Sequence, residues 1–344
     1  MNPNTLGAEV VHQTDAVGIN CLQPTEQALS ARLPELAKVE SVLQTVADRA
    51  TGLISSSVFN LFASGGKRIR PFLTICSGMC FGQANRTMIQ AAAAAELIHM
   101  ASLIHDDVID RAATRRGKAT INSQYGNQIA VLTGDYLFAA AFEILASNQS
   151  LDGMRYLLQA IKSMCEGEVN QAAARFETTL PKETYFCRVA KKTGILLAAC
   201  CQSGAAAGGS IDRETSLMGK FGLNLGYAYQ IIDDILDFTG NPRLLGKATG
   251  MDVRNGNITL PVIMLMESPV YGNWIKDVIG TKRINASGVE SIKAALVNAG
   301  SIDQTYAVAA DCLNTAKTCL EQIPAGEHKT MLLELAESLF ERNV

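Results

Sequence analysis

The chain has 344 residues, of which 48% are hydrophobic, and a formal net charge of −3. That length and apolar content allow a substantial core, and the charge balance argues against a general nucleic-acid binder, leaving basic function to local clusters. Nine cysteines, an odd number with no CxxC spacing, fit a reduced chain rather than a disulfide framework or a zinc site.

Residues 1–28 have mixed polarity and no sustained period, which predicts a loosely ordered tail without the basic start and apolar run of a secretory signal. From residue 29 onward helical periodicity dominates. Helices are expected at about 34–63, 69–80, 85–112, 120–124, 128–147, 151–176, 182–208, 213–238, 259–267, 270–280, 288–299, 302–322 and 326–342. No Pro/Ser-rich linker divides them, so 29–344 reads as a single all-α domain. The stretch Gly194–Gly209 is apolar but short and rich in Ala, Gly and Cys, which suits a closely packed buried helix better than a membrane span. A cytoplasmic protein is the expectation. The connection from Asp237 to Pro261 is rich in Gly and Asn and runs about 20 residues, long enough to be a lid.

Two copies of one acidic pattern lie inside apolar helical stretches, Asp106-Asp107-Val108-Ile109-Asp110 and Asp233-Asp234-Ile235-Leu236-Asp237. Residues four apart share a helix face, so Asp106 lies above Asp110 and Asp233 above Asp237. Carboxylates are costly to bury without a neutralising charge. Two such faces brought together would suit Mg²⁺, which takes a few carboxylates, waters and substrate phosphate oxygens. With Asp106 at zero on the helical wheel, His99 falls near about +20° and Ser102 near about −40°, which extends a polar stripe along the first helix. Gln230 shares the face of Asp233 and Asp237 on the second.

Cations stand where phosphates would need them. Gly65-Gly66-Lys67-Arg68-Ile69-Arg70-Pro71 sets three basic residues after a glycine pair. Arg115-Arg116-Gly117-Lys118 follows the first acidic motif, Lys192-Thr193 opens the Ala-rich helix, and Lys247 sits in the long connection. Glycine lets backbone approach an anion, and arginine offers a planar fork to phosphate oxygens.

On GGKRIRP at 65–71, ELIHMASLIHDDVID at 96–110, RRGK at 115–118, KT at 192–193, QIIDDILDFTG at 230–240 and GK at 246–247, the chain resembles the trans-isoprenyl diphosphate synthases from about residue 30 onward. Within that family it is most similar to the long-chain polyprenyl enzymes, including the catalytic component of heptaprenyl diphosphate synthases. The resemblance implies an isoprenoid synthase-type helical bundle around a central active-site cavity. It also implies about three Mg²⁺ held by Asp106, Asp110 and Asp233 with contributions from Asp107, Asp234 and Asp237. Arg115, Lys192, Thr193, Gln230 and Lys247 would bind an allylic diphosphate, and Lys67, Arg70, His99 and Arg116 would bind isopentenyl diphosphate. A homodimer is implied, with a small non-catalytic subunit as in heptaprenyl systems, and delivery of product to a membrane. Lys247 is followed by Ala248 where many relatives carry Pro, a departure that would loosen the lid.

In that family bulky residues just before the first acidic motif close the product tunnel. Here those positions are Ala101 and Ser102, with Ile98, Ala95 and Ala94 further down the helix. Their small size implies a long all-trans product of roughly six to ten isoprene units, suited to quinone side chains, with Phe138, Phe142 and Leu157 as candidate floor residues. A geranylgeranyl or farnesyl product is the alternative. A non-catalytic regulatory subunit is disfavoured by two intact acidic motifs. A terpenoid cyclase is disfavoured by 6% aromatic content and by a basic cluster suited to a second diphosphate.

Overall fold

The computed structural model describes residues 31–63, 66–115, 117–147, 151–240 and 249–340. The expected N-terminal tail, Arg116 and the 241–248 segment with Gly246, Lys247 and Ala248 lie outside the described residues. The first helices are α1 (Glu35–Arg49), α2 (Gly52–Ala63), α3 (Ile69–Met79) and α4 (Arg86–Ile109). A two-stranded antiparallel hairpin follows, β1 (Thr114–Arg115) and β2 (Lys118–Ala119), with Thr114 opposite Ala119. Then come α5 (Ile121–Tyr125), α6 (Asn127–Ala146), α7 (Leu151–Ala173), α8 (Lys182–Val189), a π-helical turn (Ala190–Gly194), α9 (Ile195–Gly208) and α10 (Asp212–Thr239). The last elements are α11 (Met251–Arg254), α12 (Leu260–Met266), α13 (Gly272–Gly280), α14 (Ala286–Asn298), α15 (Ser301–Glu321) and α16 (Glu327–Ser338).

Local chemistry sets several of these boundaries. Asn85 caps α4 by accepting from the Met88 amide at 2.9 Å, and Thr120 caps α5 by accepting from Ser123. Glu214 reaches back to the Ile211 amide at 3.0 Å and satisfies an orphan donor at the start of α10. The helix expected over 34–63 breaks in two, because Ala50 turns extended and Gly52 takes a positive φ of 59°. The hairpin and the one-turn α11 were not anticipated; both are too short to show a period.

The core is built by helix pairs. α4 runs antiparallel along α6, with Gln90 near one end meeting Ser147 at 3.2 Å and His105 near the other meeting the Val131 carbonyl at 3.2 Å. α9 packs among α3, α7 and α10, and its Leu196–Cys201 stretch is fully buried, as expected of the Ala/Cys-rich segment. α10 also lies along α15. α4 and α6 are long and apolar enough to cross a membrane by length and composition, but α4 is mostly buried within the bundle.

The expected helix over 182–208 is a continuous run interrupted by the π turn. A Cβ at Gly226 of α10 would stand 2.5 Å from the Cα of Gly194, so the two backbones touch there. On the opposite side Gly167 of α7 meets the Lys191 side chain. The turn is therefore pressed between α7 and α10, which aims Lys192 and Thr193 into the space between those helices. π turns of this kind concentrate at functional sites.

Candidate active site

Both acidic motifs sit at the C-terminal ends of their helices, the first ending α4 at the cap residue Asp110 and the second in the last turns of α10. The helix macrodipole is negative there, so each cluster of carboxylates is unfavourable without a compensating cation. Burial adds to this. Loss of water pushes the Asp106 carboxyl up to about 6, with Lys192 opposing the rise and Glu168 and Asp110 adding to it.

The six carboxylates divide into two sets. Asp106 and Asp233 are half-buried and Asp110 is exposed. Asp107, Asp234 and Asp237 are buried and are held by the protein itself. Arg115 on β1 grips Asp107 through Nε at 2.9 and 3.1 Å and through its terminal nitrogen at 2.9 Å. Asp234 accepts from Tyr185 at 2.7 Å on one oxygen and from Gln230 at 2.9 Å on the other. Asp237 accepts from the Asp252 amide at 3.2 Å, and its carbonyl accepts from Gly250. A buried carboxylate needs such donors, so the inner three orient the helix ends while the outer three face outward. Among the described residues no group of three His, Cys, Asp or Glu side chains converges closely enough to hold a metal ion unaided. Mg²⁺ does not require one, since water and phosphate oxygens fill most of its shell. Half-exposed oxygen donors at two negative helix ends, one of them desolvated, fit that ion.

The π turn joins the two motifs. Lys192 pairs with Glu168 of α7 at 2.9 Å. Burial alone would depress its ammonium, but Glu168, Asp106 and Asp110 outweigh that and raise it, so it stays charged beside the first motif. The adjacent Thr193 donates to Gln230 Oε1 at 2.9 Å, and Gln230 passes the contact on to Asp234. Two consecutive residues thus lie each toward one acidic cluster, Lys192 through its charge and Thr193 by way of Gln230. At Asp234 burial together with the facing Asp252 raises the carboxyl to about 7.

The remaining expected residues form a second group. Lys67 and Arg70 are half-buried at the start of α3, and the Nε of Arg70 is buried with no hydrogen-bond partner among the described residues. His99 is half-buried on α4 and shares an accessible stripe with Ser102, Leu103 and Asp106. Ser102 donates to the His99 carbonyl at 2.8 Å. Ala101 differs: it is 0% exposed, as are Ile98, Ala95 and Ala94. Its face of α4 continues to His105, whose ring lies 5.7 Å from Phe138, itself stacked on Phe142 at 6.3 Å. The two chain-length candidates therefore differ in burial, Ser102 on the accessible stripe and Ala101 fully buried one turn before His105.

Several site residues escaped the sequence reading. Glu168 holds Lys192, Tyr185 holds Asp234, Arg175 lies 3.7 Å from Asp110, and Arg188 covers the Tyr185 ring at 5.5 Å while donating to the Ile258 carbonyl. Each sits in a mixed-charge segment that reads as solvated surface. The only available signal was the spacing of Tyr185, two helical turns before Lys192.

A family model described as polyprenyl synthetase matches residues 52–296. A heptaprenyl diphosphate synthase component 2 from Geobacillus stearothermophilus is 36% identical over 305 residues, covering 88% of this chain and 94% of the relative. Among solved structures, a decaprenyl diphosphate synthase from Rhodobacter capsulatus superposes with a TM-score of 0.85 at 30% identity, covering 93% of this chain and 99% of that one. A polyprenyl synthase from Caulobacter crescentus CB15, complexed with calcium and isoprenyl diphosphate, gives a TM-score of 0.86 at 32% identity, covering 93% and 98%.

Proposed function

This chain belongs to the polyprenyl synthetase family, and from that premise we propose that it is a Mg²⁺-dependent trans-prenyltransferase. It adds isopentenyl diphosphate to an allylic diphosphate in repeated head-to-tail steps and makes a long-chain polyprenyl diphosphate of roughly six to ten units, as the small residues before the first acidic motif allow. The observation that carries this reading is the π turn, where Lys192, paired with Glu168, holds its charge near the first acidic cluster and Thr193 reaches the second through Gln230.

Asp106, Asp110 and Asp233 would hold the ions, about three in number, while Asp107, Asp234 and Asp237 keep the helix ends in register. Bound Mg²⁺ supplies stabilisation of the negative charge that develops on the leaving diphosphate. Lys192 adds a fixed positive charge beside the same oxygens, with Arg115, Thr193, Gln230 and Lys247 completing the allylic site. The allylic C–O bond breaks and both electrons leave with the diphosphate. Lys67, Arg70, His99 and Arg116 orient isopentenyl diphosphate so that its double bond attacks the cation. A proton then leaves the new chain for the departed diphosphate, and an alkene is restored. No side-chain nucleophile is needed.

The protein acts in the cytoplasm as one domain over 29–344 and as a homodimer. The outer face of α6 supports the dimer, since Val131 and Leu132 there are 40% and 48% exposed. A small non-catalytic subunit is supported by the relative named as a component 2. The product passes to a membrane for quinone side chains.

The test is to incubate the purified chain with farnesyl diphosphate, isopentenyl diphosphate and Mg²⁺ and to chromatograph the products. Long-chain product is expected. No consumption of isopentenyl diphosphate, with or without a partner subunit, would overturn the assignment.

A further inference from the structure

Arg68 stands between Lys67 and Arg70, yet its side chain turns inward and is only 12% exposed. Its Nε and one terminal nitrogen bind both oxygens of Glu40 on α1, and its other terminal nitrogen donates to Glu96 Oε1 on α4 at 3.0 Å. Glu96 is 4% exposed, and its second oxygen meets no donor among the described residues. It lies one turn before His99, on a neighbouring part of the same helix surface.

The backbone is committed to this arrangement. Arg68 has a φ of 50°, in the left-handed region that side chains other than glycine rarely adopt, and such strain persists only where surrounding contacts hold it. Its carbonyl accepts from Phe72 at 2.9 Å and so starts α3. A Cβ on Gly66 would stand 3.0 Å from the Arg68 terminal nitrogen, so a glycine there gives the inward guanidinium its room. Only a guanidinium can present one edge to Glu40 and a further N–H to Glu96; a lysine ammonium lacks that fork.

We propose that Arg68 and Glu96 are positioning residues for isopentenyl diphosphate. Their ion pair locks the basic loop before α3 against α4, so that Lys67 and Arg70 converge on one diphosphate with His99. This rests on the assignment of Lys67, Arg70 and His99 given above. Neither Arg68 nor Glu96 touches the substrate; each acts through its neighbours.

The experiment measures both Michaelis constants in three variants. Removing one partner alone would leave a buried charge unpaired, so the central variant is Arg68→Gln combined with Glu96→Gln. Arg68→Lys keeps the charge without the fork. Glu40→Gln loosens only the exposed end of the bridge. The double variant is expected to raise the KM for isopentenyl diphosphate about tenfold, while the KM for the allylic substrate stays within about twofold. Arg68→Lys and Glu40→Gln should raise the first constant by about threefold to fivefold. If the double variant does not fold, the same split in Glu40→Gln decides the matter. Equal rises in both constants, or unchanged constants in folded variants, would overturn the proposal. A wild-type protein that fails to consume isopentenyl diphosphate would instead overturn the functional assignment itself.

Discussion

Tyr185 donates its phenolic hydrogen to Oδ2 of Asp234 at 2.7 Å, inside the contact between α8 and α10. Burial and the facing Asp252 raise that carboxyl from its ordinary 3.8 to about 7. The folded state therefore binds the proton more tightly than the unfolded chain does. Between those two values the folded protein carries more protons, so its stability falls as pH rises. The contribution is complete below pH 3.8 and lost once pH passes about 7. Asp106, raised to about 6 by burial, acts in the same direction. Metal-free protein should melt at progressively lower temperature across that window, and Asp234→Asn should flatten the decline. Melting curves in chelator at several pH values would check this; parallel profiles for the two proteins would refute it.

The outer carboxylates carry a different expectation. Replacing Asp106 or Asp233 with Ala should lower turnover by about three orders of magnitude or more, as loss of a major transition-state stabiliser does. The helical circular dichroism should persist, because neither side chain is fully buried. Near-normal turnover in either variant would remove the metal-holding role.

These two cases show what the sequence made legible. Repeated acidic spacing inside apolar helices marks the candidate site, and the helical period sets Asp106 above Asp110 and His99 on the same stripe. Periodicity says which residues share a face but not what faces them. It could not show that Asp234 has a tyrosine on one oxygen, or that Glu168 comes from α7 to meet Lys192. Those pairings join separate elements, whereas Gln230 lies one turn before Asp234 on α10 itself. The π turn was hidden for another reason: it lies where Gly194 approaches Gly226, a tertiary contact without a local signature. The long helical elements were readable because each carries several periods, whereas the hairpin and α11 carry none.

The two basic groups should separate by substrate. Arg70 lies at the start of α3, and Lys192 lies in the π turn beside the first acidic motif. Arg70→Ala should mainly raise the KM for isopentenyl diphosphate, and Lys192→Ala should mainly affect the allylic substrate. Each loss corresponds to about 1.5–3 kcal/mol for a charge-assisted contact. Lys192→Ala also leaves Glu168 without its partner beside Asp106 and Asp110, so the added negative charge should lower the Mg²⁺ concentration at which the ion binds the substrate-free protein. Steady-state kinetics with each substrate varied in turn would check the division. Equal weakening of both substrates in both variants would show it to be wrong.

Chain length tests the open stripe of α4 against its packed seam. Ser102 is partly exposed beside His99 and Asp106, so a phenylalanine there should project into the space an elongating chain needs. Ser102→Phe is expected to stop growth near geranylgeranyl or farnesyl length while the first condensation still proceeds. Ala101 is fully buried, one helical turn before His105, whose ring meets Phe138 of α6. A phenylalanine at that position overpacks an interior that cannot relax freely, at about 1–3 kcal/mol. Ala101→Phe should therefore shorten the product as well, but with a lower melting temperature that Ser102→Phe does not share. Product chromatography at saturating isopentenyl diphosphate, with melting curves for both variants, separates the two effects. An unchanged long product in Ser102→Phe would place the growing chain away from this stripe, whatever Ala101→Phe does.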